Sequence, residues 1–491
     1  MLANGASSAL SRCSPIDRSP TVNRTVPLVL AIALFMEHMD STVISTALPA
    51  IAEDIGTTPI ALKLALTAYL VALAIFIPIS GWMADRFGAR RVFASAIVVF
   101  MIGSIACAVS GSLTQFVFAR FLQGMGGAMM TPVGRLVLVR STAKSDLVNA
   151  MAWLTIPALI GPLAGPPVGG FLTTFMSWHW IFLINIPIGI AGVIFALTLL
   201  PESEAPPVRR VDWTGFILAG AAASGIVFGL SVISLPALPP VWGVMATIAG
   251  AACFAGYVVH ARRTPDPLLD PKLFANRTFR AAILGSNLFR IGAGAVPFLL
   301  PLMLQIGFGL TPFQSGMVTF VSAGGAIVMK FTVKRILRAG GFRMVLIGAA
   351  GGAAISIAVN GLYTPATPLA LIMVLLFASG LVRSLFFTSA NALTFAEVSD
   401  AEAPQATAVT SAMQQVSIAV GVALAGGVLD LVTVLSDGAL ELPAFHMAFF
   451  TVSAISALAI IPFLSLPPSA GNAVSGHSIR SAGARAAAPV R

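Results

Sequence analysis

The chain has 491 residues, of which 57% are hydrophobic and only 9% charged, with a formal net charge of +10. Soluble domains carry about 25% charged residues, so this composition excludes a soluble globular protein and indicates an all-α polytopic membrane protein. Three cysteines, Cys13, Cys107 and Cys253, stand apart without metal-ligand or disulfide spacing, which gives no support to a redox enzyme or a disulfide scaffold.

In chain order, residues 1–25 are polar and basic and lack the short apolar core and cleavage site of a removable signal peptide. They read as a cytoplasmic tail, with the first spanning helix serving as an uncleaved insertion signal. Apolar runs closed by Pro, Gly or charge predict spans near 26–48, 61–84, 92–110, 113–139, 148–174, 180–200, 213–233, 241–259, 279–304, 313–332, 343–363, 367–389, 405–432 and 445–466. That is about fourteen crossings. Basic residues cluster before the first span (Arg12, Arg18, Arg24) and after even-numbered ones (Arg86, Arg90 and Arg91; Arg140 and Lys144; Arg262 and Arg263; Lys334, Arg335 and Arg338). Of the opposite loops, only the first carries a base, Lys63. The positive-inside rule then puts both termini in the cytoplasm and accounts for the positive charge without nucleic acid. Glu397, Asp400 and Glu402 are the exception, on the assigned cytoplasmic side without a base.

The chain also reads as duplicated. The loop Asp85-Arg86-Phe87-Gly88-Ala89-Arg90-Arg91 is echoed in degraded form by Lys334 to Arg343. The expected plan is an N-terminal six-helix bundle (26–200), two inserted helices with flanking loops (201–278), a C-terminal six-helix bundle (279–466) and a disordered cytoplasmic tail (467–491).

Charges within the spans are few: Glu37, Asp40, Arg120, Arg290, Arg383 and Asp430. A carboxylate in hydrocarbon costs roughly 2.5 to 3.5 kcal/mol on insertion scales, so Asp40 marks an ion or substrate pathway. At 1.5 Å rise per residue, Asp40 in the first span and Arg120 in the fourth both lie about 10 to 12 Å from the outer end, and they can pair. A carboxylate balanced between a cation and burial can take up and release a proton; a fixed ion pair that only locks helix packing is the alternative. Glu37, three residues earlier, shares a helix face with Asp40 and reads as a second proton site, a cation-selecting acid or an interfacial residue. His38 points elsewhere, as a packed polar residue. Arg290 lies about 16 Å into the ninth span, too deep to snorkel, and needs a wet cavity or an acid. Arg383, nearer the cytoplasmic end, can snorkel. Gln414 and Gln415 can bond a substrate or another helix. In the fifth span, Gly161, Gly165, Pro166, Gly169 and Gly170 combine lost backbone donors with small residues that permit close helix approach, which suits either a gating contact or a static kink.

Other machinery is missing from the text. There is no Gly-x-x-x-x-Gly-Lys-Ser/Thr loop for ATP, Gly124-Met125-Gly126-Gly127 lacks the context of a dinucleotide site, and the five histidines form no metal motif. No cofactor is expected. Energy would come from an ion gradient or from the substrate's own gradient.

Taken together these motifs resemble the fourteen-helix drug:proton antiporters of the major facilitator superfamily. The first-helix motif is matched by Asp40, Thr42, Ala47, Leu48 and Pro49, with Ser45 where Asn is usual. The loop motif is matched by Gly81, Ala84, Asp85, Arg86, Gly88 and Arg90, with Met83 for Leu and Ala89 for a base. Arg120, Gln123, Gly124 and Gly126 match the fourth-helix motif; Gly161, Gly165, Pro166, Gly169 and Gly170 match the fifth-helix antiporter motif. Ser177 to Gly189 and Asp212-Trp213-Thr214-Gly215 are further family-like text. The resemblance implies the major facilitator fold and a proton-driven exporter of small lipophilic compounds working by alternating access in the cell inner membrane. It implies that Asp40 is the protonation site with Arg120 as coupled partner, that Gly81, Asp85, Arg86, Gly88 and Arg90 form a cytoplasmic gate, and that the fifth-helix glycines limit proton leak. Glu37, Arg290, Gln414 and Gln415 are the cavity candidates. The implied partners are a small-molecule substrate, protons and the lipid bilayer, with the carrier a monomer; a periplasmic adaptor is left open. A proton-coupled importer on the same scaffold is the alternative, with a receptor or membrane enzyme more remote.

Overall fold

A computed structural model describes residues 25–142, 147–202, 211–233, 239–399, 402–436, 440–475 and 477. The N-terminal tail and most of the C-terminal tail lie outside these residues, as do Lys144 and Asp400. Within them the apolar runs are helical, the form in which a single segment satisfies its own backbone in hydrocarbon. We label the crossings α1 (Thr25–Val43), α2 (Lys63–Phe76 with Ser80–Phe87), α3 (Ala89–Ala108), α4 (Leu113–Ser141), α5 (Leu147–Phe175), α6 (Asn185–Leu199), α7 (Trp213–Ile233) and α8 (Pro240–Arg263). The series continues with α9 (Arg277–Leu302), α10 and α11 (the two parts of Pro312–Asn360 on either side of Gly341), α12 (Leu369–Phe395), α13 (Ala403–Leu435) and α14 (Leu442–Ala457). Ten segments are long and apolar enough to span, and the bent α2 pair makes an eleventh. Dividing Pro312–Asn360 in two and adding the 29-residue α4 and α5 gives fourteen among the described residues.

Local chemistry sets the helix ends. Ser112 caps α4 by accepting from Gln115 N, Asn276 caps α9 by accepting from Thr278 N and Phe279 N, and Thr311 forms a capping box with Gln314. α2 bends by 57° between its two parts, where Pro78 removes a backbone donor. The expected duplication has a backbone counterpart. Gly88, between α2 and α3, has φ 88°, and Gly341, between α10 and α11, has φ 66°, so both copies of the loop turn on a residue without a Cβ.

Helices α1–α6 form one six-helix bundle and α9–α14 the other. They meet along two seams, α5 against α10 and α2 against α13. Helices α7 and α8 form a hairpin in which Gly225 faces Gly250, whose Cα would lie 2.7 Å from an added Cβ, and Gly243 faces Ile233 N at 2.5 Å. This is the small-residue approach that helices use in lipid. The hairpin docks on the second seam through Val71, Val227 and Ala419. Where disorder was expected from Pro467 onward, residues 467–475 form turns and a short helix (Asn472–Ser475), and His477 Nδ1 lies 2.9 Å from Arg338 O.

The hairpin is tied at one end by Asp212, which accepts from Gly215 N (2.8 Å) and Leu268 N (3.3 Å) and lies 2.7 Å from His260 Nε2. Burial pushes the Asp212 carboxyl up, but the hydrogen bonds outweigh it and hold the group below the usual carboxylate range. A lowered folded value means its contribution is present above the unfolded value of about 3.9 and is lost as pH falls through the folded one. Asp212→Ala is therefore expected to cost about 1 to 3 kcal/mol at neutral pH, read as a lower melting temperature in detergent, with the gap to the unmutated protein closing under acid. An unchanged melting temperature at neutral pH would remove this role.

Candidate functional site

The sequence places one acid and one base at matching depth in α1 and α4, and the structure joins them. Arg120 Nη1 lies 2.7 Å from Asp40 Oδ2, with Asp40 fully buried and Arg120 1% exposed. The other carboxylate oxygen, Oδ1, accepts from Gln123 Nε2 and from Asn185 Nδ2, both at 2.8 Å. Ser104 Oγ accepts from Asn185 Nδ2 (3.0 Å) and Gln123 Nε2 (3.3 Å) and donates to Phe182 O (2.9 Å). The guanidinium also donates to Gln123 Oε1 (2.6 Å) and lies 4.4 Å from the Tyr69 ring centroid. Asp40 is thus charge-balanced and hydrogen-bonded by α4 and α6 at once, and Ser104 of α3 holds two of those partners in place. Sequence reasoning missed Ser104 and assigned no role to Gln123 or Asn185; their signal is uncharged polarity inside apolar spans.

Glycines bring these helices near enough. A Cβ at Gly124 would lie 2.6 Å from Tyr69 O on α2, and one at Gly126 would lie 2.7 Å from Ala96 O on α3. Along α5 the expected glycines face α1 and the turn after it: an added Cβ would lie 2.9 Å from Phe35 O and 3.0 Å from Met39 N at Gly161, 3.1 Å from Val43 N at Gly165 and 2.7 Å from Thr46 Oγ1 at Gly169. The helix stays continuous through Pro162, Pro166 and Pro167. Gly170 and Pro166 instead face α10: a Cβ added at Gly170 would lie 2.8 Å from Phe313 Cα, and one added at Gly316 would meet Pro166 O. The segment therefore contacts α1 and the opposite bundle together.

Glu37 is 7% exposed and accepts from Thr131 Oγ1 at 2.8 Å. His38, expected to point elsewhere, has Nδ1 3.9 Å from Glu37 Oε2. Beside this acid the Tyr69 hydroxyl is buried without a hydrogen-bond partner among the described residues; a Cβ at Gly127 would meet Tyr69 Oη at 3.1 Å and Glu37 Cγ at 3.6 Å.

The loop residues do not pair with one another. Asp85 bonds Arg140 Nη2 at 2.6 Å; Arg90 reaches the end of α6 through Leu197 O, Leu200 O (3.4 Å) and Glu202 (3.6 Å); Arg86 is exposed. Gly81 has open space around it and Gly88 supplies the turn. Arg140 had served only as an orientation marker in the sequence.

Lys63, read as a loop base, instead begins α2, is fully buried and forms an ion pair with Asp430 of α13. Gly426 leaves room for its stem. At the same end, opposite the basic loops, Gln305 Nε2 donates to Thr46 O (3.0 Å) and Phe313 N to Thr174 Oγ1 (3.0 Å). These contacts close the two bundles together at that end.

Between the bundles lies a cavity of about 320 Å³ lined by Thr42, Ser45 and Pro166 on one side and Pro297, Phe320 and Arg383 on the other. Glu37, Arg290, Gln414 and Gln415 do not line it. Arg290 is 7% exposed, near Asn391 Oδ1 (3.4 Å) and the Phe387 ring (4.6 Å). Arg383, expected to snorkel, faces this cavity because it lies fourteen residues into α12, about 20 Å from its start.

The Major Facilitator Superfamily model matches residues 30–266 and 282–486. The chain belongs to this superfamily. It is 37% identical over 458 residues to the "Putative multidrug resistance protein MdtD" of Serratia proteamaculans (strain 568), covering 89% of this chain and 92% of that protein. A protein of the same name from Salmonella paratyphi B (strain ATCC BAA-1250 / SPB7) is 36% identical over 449 residues, covering 89% and 94%. Among solved structures, a D-xylose-proton symporter aligns with TM-score 0.66 over 91% of this chain and 98% of that one at 15% identity, and the nucleoside transporter NupG (D323A mutant) with TM-score 0.64 over 90% and 99% at 16%. These two share the fold. This major facilitator protein is accordingly a multi-pass membrane transporter of a small-molecule substrate and not an enzyme.

Removing one partner of a buried pair leaves a bare charge. Arg120→Ala is expected to destabilise the protein by about 3 to 5 kcal/mol, with Asp40→Asn in the same chain recovering part of the loss; additive losses in melting temperature would refute the coupling. Lys63→Ala should cost a similar amount and make cysteines placed at positions 46 and 305 more accessible to a thiol reagent from the adjoining side. Unchanged labelling would mean that the pair does not hold that end shut.

Proposed function

We propose that this carrier is a proton-coupled antiporter that exports small lipophilic compounds across the cell inner membrane by alternating access, with both termini cytoplasmic. The observation that carries the reading is the Asp40–Arg120 pair, an acid and a base sealed at 0% and 1% exposure, both bonded by Gln123, with Asn185 on the carboxylate and Ser104 joining Gln123 to Asn185. Protonating Asp40 would leave the guanidinium with Gln123 Oε1 and the Tyr69 ring, and would weaken the hold of α1 on α4 and α6. Proton uptake is thereby converted into helix movement, the differential interaction that a conformational step requires. Glu37, with Thr131 and the unpartnered Tyr69 hydroxyl beside it, is a second proton-accepting group near the same helix face.

The basic loops put the closed end outside the cell. The ion pair Lys63–Asp430 and the Gln305–Thr46 and Phe313–Thr174 bonds then seal the outer face in a state whose substrate path opens toward the cytoplasm. Opening outward requires these contacts to be exchanged for others at the cytoplasmic end, where Asp85, Arg86, Arg90 and Arg140 lie. The α5 glycines support the antiport reading, since a helix packed at backbone distance on both α1 and α10 keeps water out of the seam. The likeness to the two proteins named above supports export of drug-like compounds.

In everted membrane vesicles acidified inside, a transported compound should dissipate the proton gradient with the unmutated protein and not with Asp40→Asn, at equal membrane insertion. Retained proton movement in that variant would remove Asp40 from the mechanism.

A further inference from the structure

Arg383 is the one charged side chain among the described residues lining the cavity between the bundles. It has no hydrogen bond or ion pair with any described residue, although its depth in α12 keeps it far from either membrane face. The hydroxyls around it are committed to helix carbonyls: Ser45 Oγ donates to Thr42 O (2.8 Å), Thr319 Oγ1 to Ser315 O (3.0 Å) and Ser322 Oγ to Thr319 O (2.9 Å). An intramembrane cation without a partner is costly, and such residues mark substrate pathways.

A second observation extends the first. Residues 383, 387 and 391 recur every four positions and so share one face of α12. Arg290 of α9 is held on that face by Phe387 (4.6 Å) and Asn391 (3.4 Å). Lys330 of α10 donates to the neighbouring Thr388 Oγ1 (3.0 Å). Arg383, Arg290 and Lys330 thus follow α12 toward the basic-loop end, and none of the three has an ion pair among the described residues. Of the three, Arg383 alone lines the cavity, and the two cations behind it add to a positive potential that concentrates the opposite sign. Asp40 of the opposite bundle is already paired with Arg120.

We propose that the α12 face of this cavity is an anion subsite, and that the transported compound carries a carboxylate, sulfonate or sulfate that pairs with Arg383 while its apolar body lies against Phe320, Leu376 and Pro297. This rests on the transport reading and narrows its substrate class to amphipathic anions. Guanidinium suits the task because it presents a planar fork of donors to two oxyanion atoms. The charge balance follows. One monoanion leaving as one proton enters moves two positive charge equivalents inward, so an inside-negative potential drives the exchange as well as the proton gradient.

The test is equilibrium binding to the full chain in nanodiscs, with empty nanodiscs subtracted, of 8-anilinonaphthalene-1-sulfonate and of N-phenyl-1-naphthylamine, which has the same rings without the sulfonate. The sulfonate is expected to bind at least tenfold more tightly than the amine. That ratio should fall toward one in Arg383→Gln, persist largely in Arg383→Lys, and fall in Ser379→Asp, which places a carboxylate one turn away on the cavity wall. A ratio near one in the unmutated protein, or one that Arg383→Gln and Ser379→Asp leave unchanged, would overturn the proposal. Because binding is read without a proton gradient, this outcome is separate from that of the Asp40→Asn flux experiment: failure of one leaves the other standing.

Discussion

The Asp40 carboxylate organises the N-terminal bundle. An acid fully removed from water must have its charge balanced and its lone pairs filled, and here the partners come from α4 and α6, with Ser104 of α3 bonding two of them in turn. Each partner needs its helix at a fixed distance from α1, and the glycines of α4 supply the space: without Gly124 and Gly126, the backbones of α2 and α3 would collide with α4. The polar cluster and the small-residue packing are therefore one device. Lipid provides no hydrophobic drive between helices, so close packing and polar contacts have to supply the association.

The same logic divides the molecule into rigid and changeable parts. Within each bundle the contacts are dense and largely apolar. Between bundles they are fewer and include groups that can change partners, namely the Lys63–Asp430 pair, the Gln305–Thr46 and Phe313–Thr174 hydrogen bonds, and the glycine seam of α5. A carrier that alternates between two states needs an interface of this kind, because a seam cemented by interdigitated large side chains would have one arrangement only. The α7–α8 hairpin adds a third body on the α2–α13 seam, fastened by its own glycine contacts and by Asp212.

Much was legible in the sequence because the bilayer simplifies the reading. Apolar runs of spanning length can only be helices, so the fourteen crossings follow from residue type, and the duplicated loop was legible as an echo of one text in another. Asp40 and Arg120 stood out since charges are rare in such runs. Other features were legible in kind and not in placement. Lys63 reads as a loop base, yet its partner Asp430 lies 367 residues away, and nothing local to either residue announces the other. Asp85 is flanked by Arg86 and Arg90 in sequence, but helix geometry turns it toward Arg140 of α4 instead. Arg383 reads as a residue able to snorkel, and only the packing of α12 against α9 and α10 turns it to the cavity.

By itself the sequence determined the class, the helices, the family and the two intramembrane charges that the structure pairs, since each rests on local composition or on spacing along one helix. Only the tertiary structure decided which end of the molecule is shut, which polar side chains complete the Asp40 cluster, and which cation faces the cavity with no acid to meet it. Those are relations between helices far apart in the chain. They depend on the rotation and depth of each helix against its neighbours, quantities fixed by packing of all fourteen together and carried by no single segment.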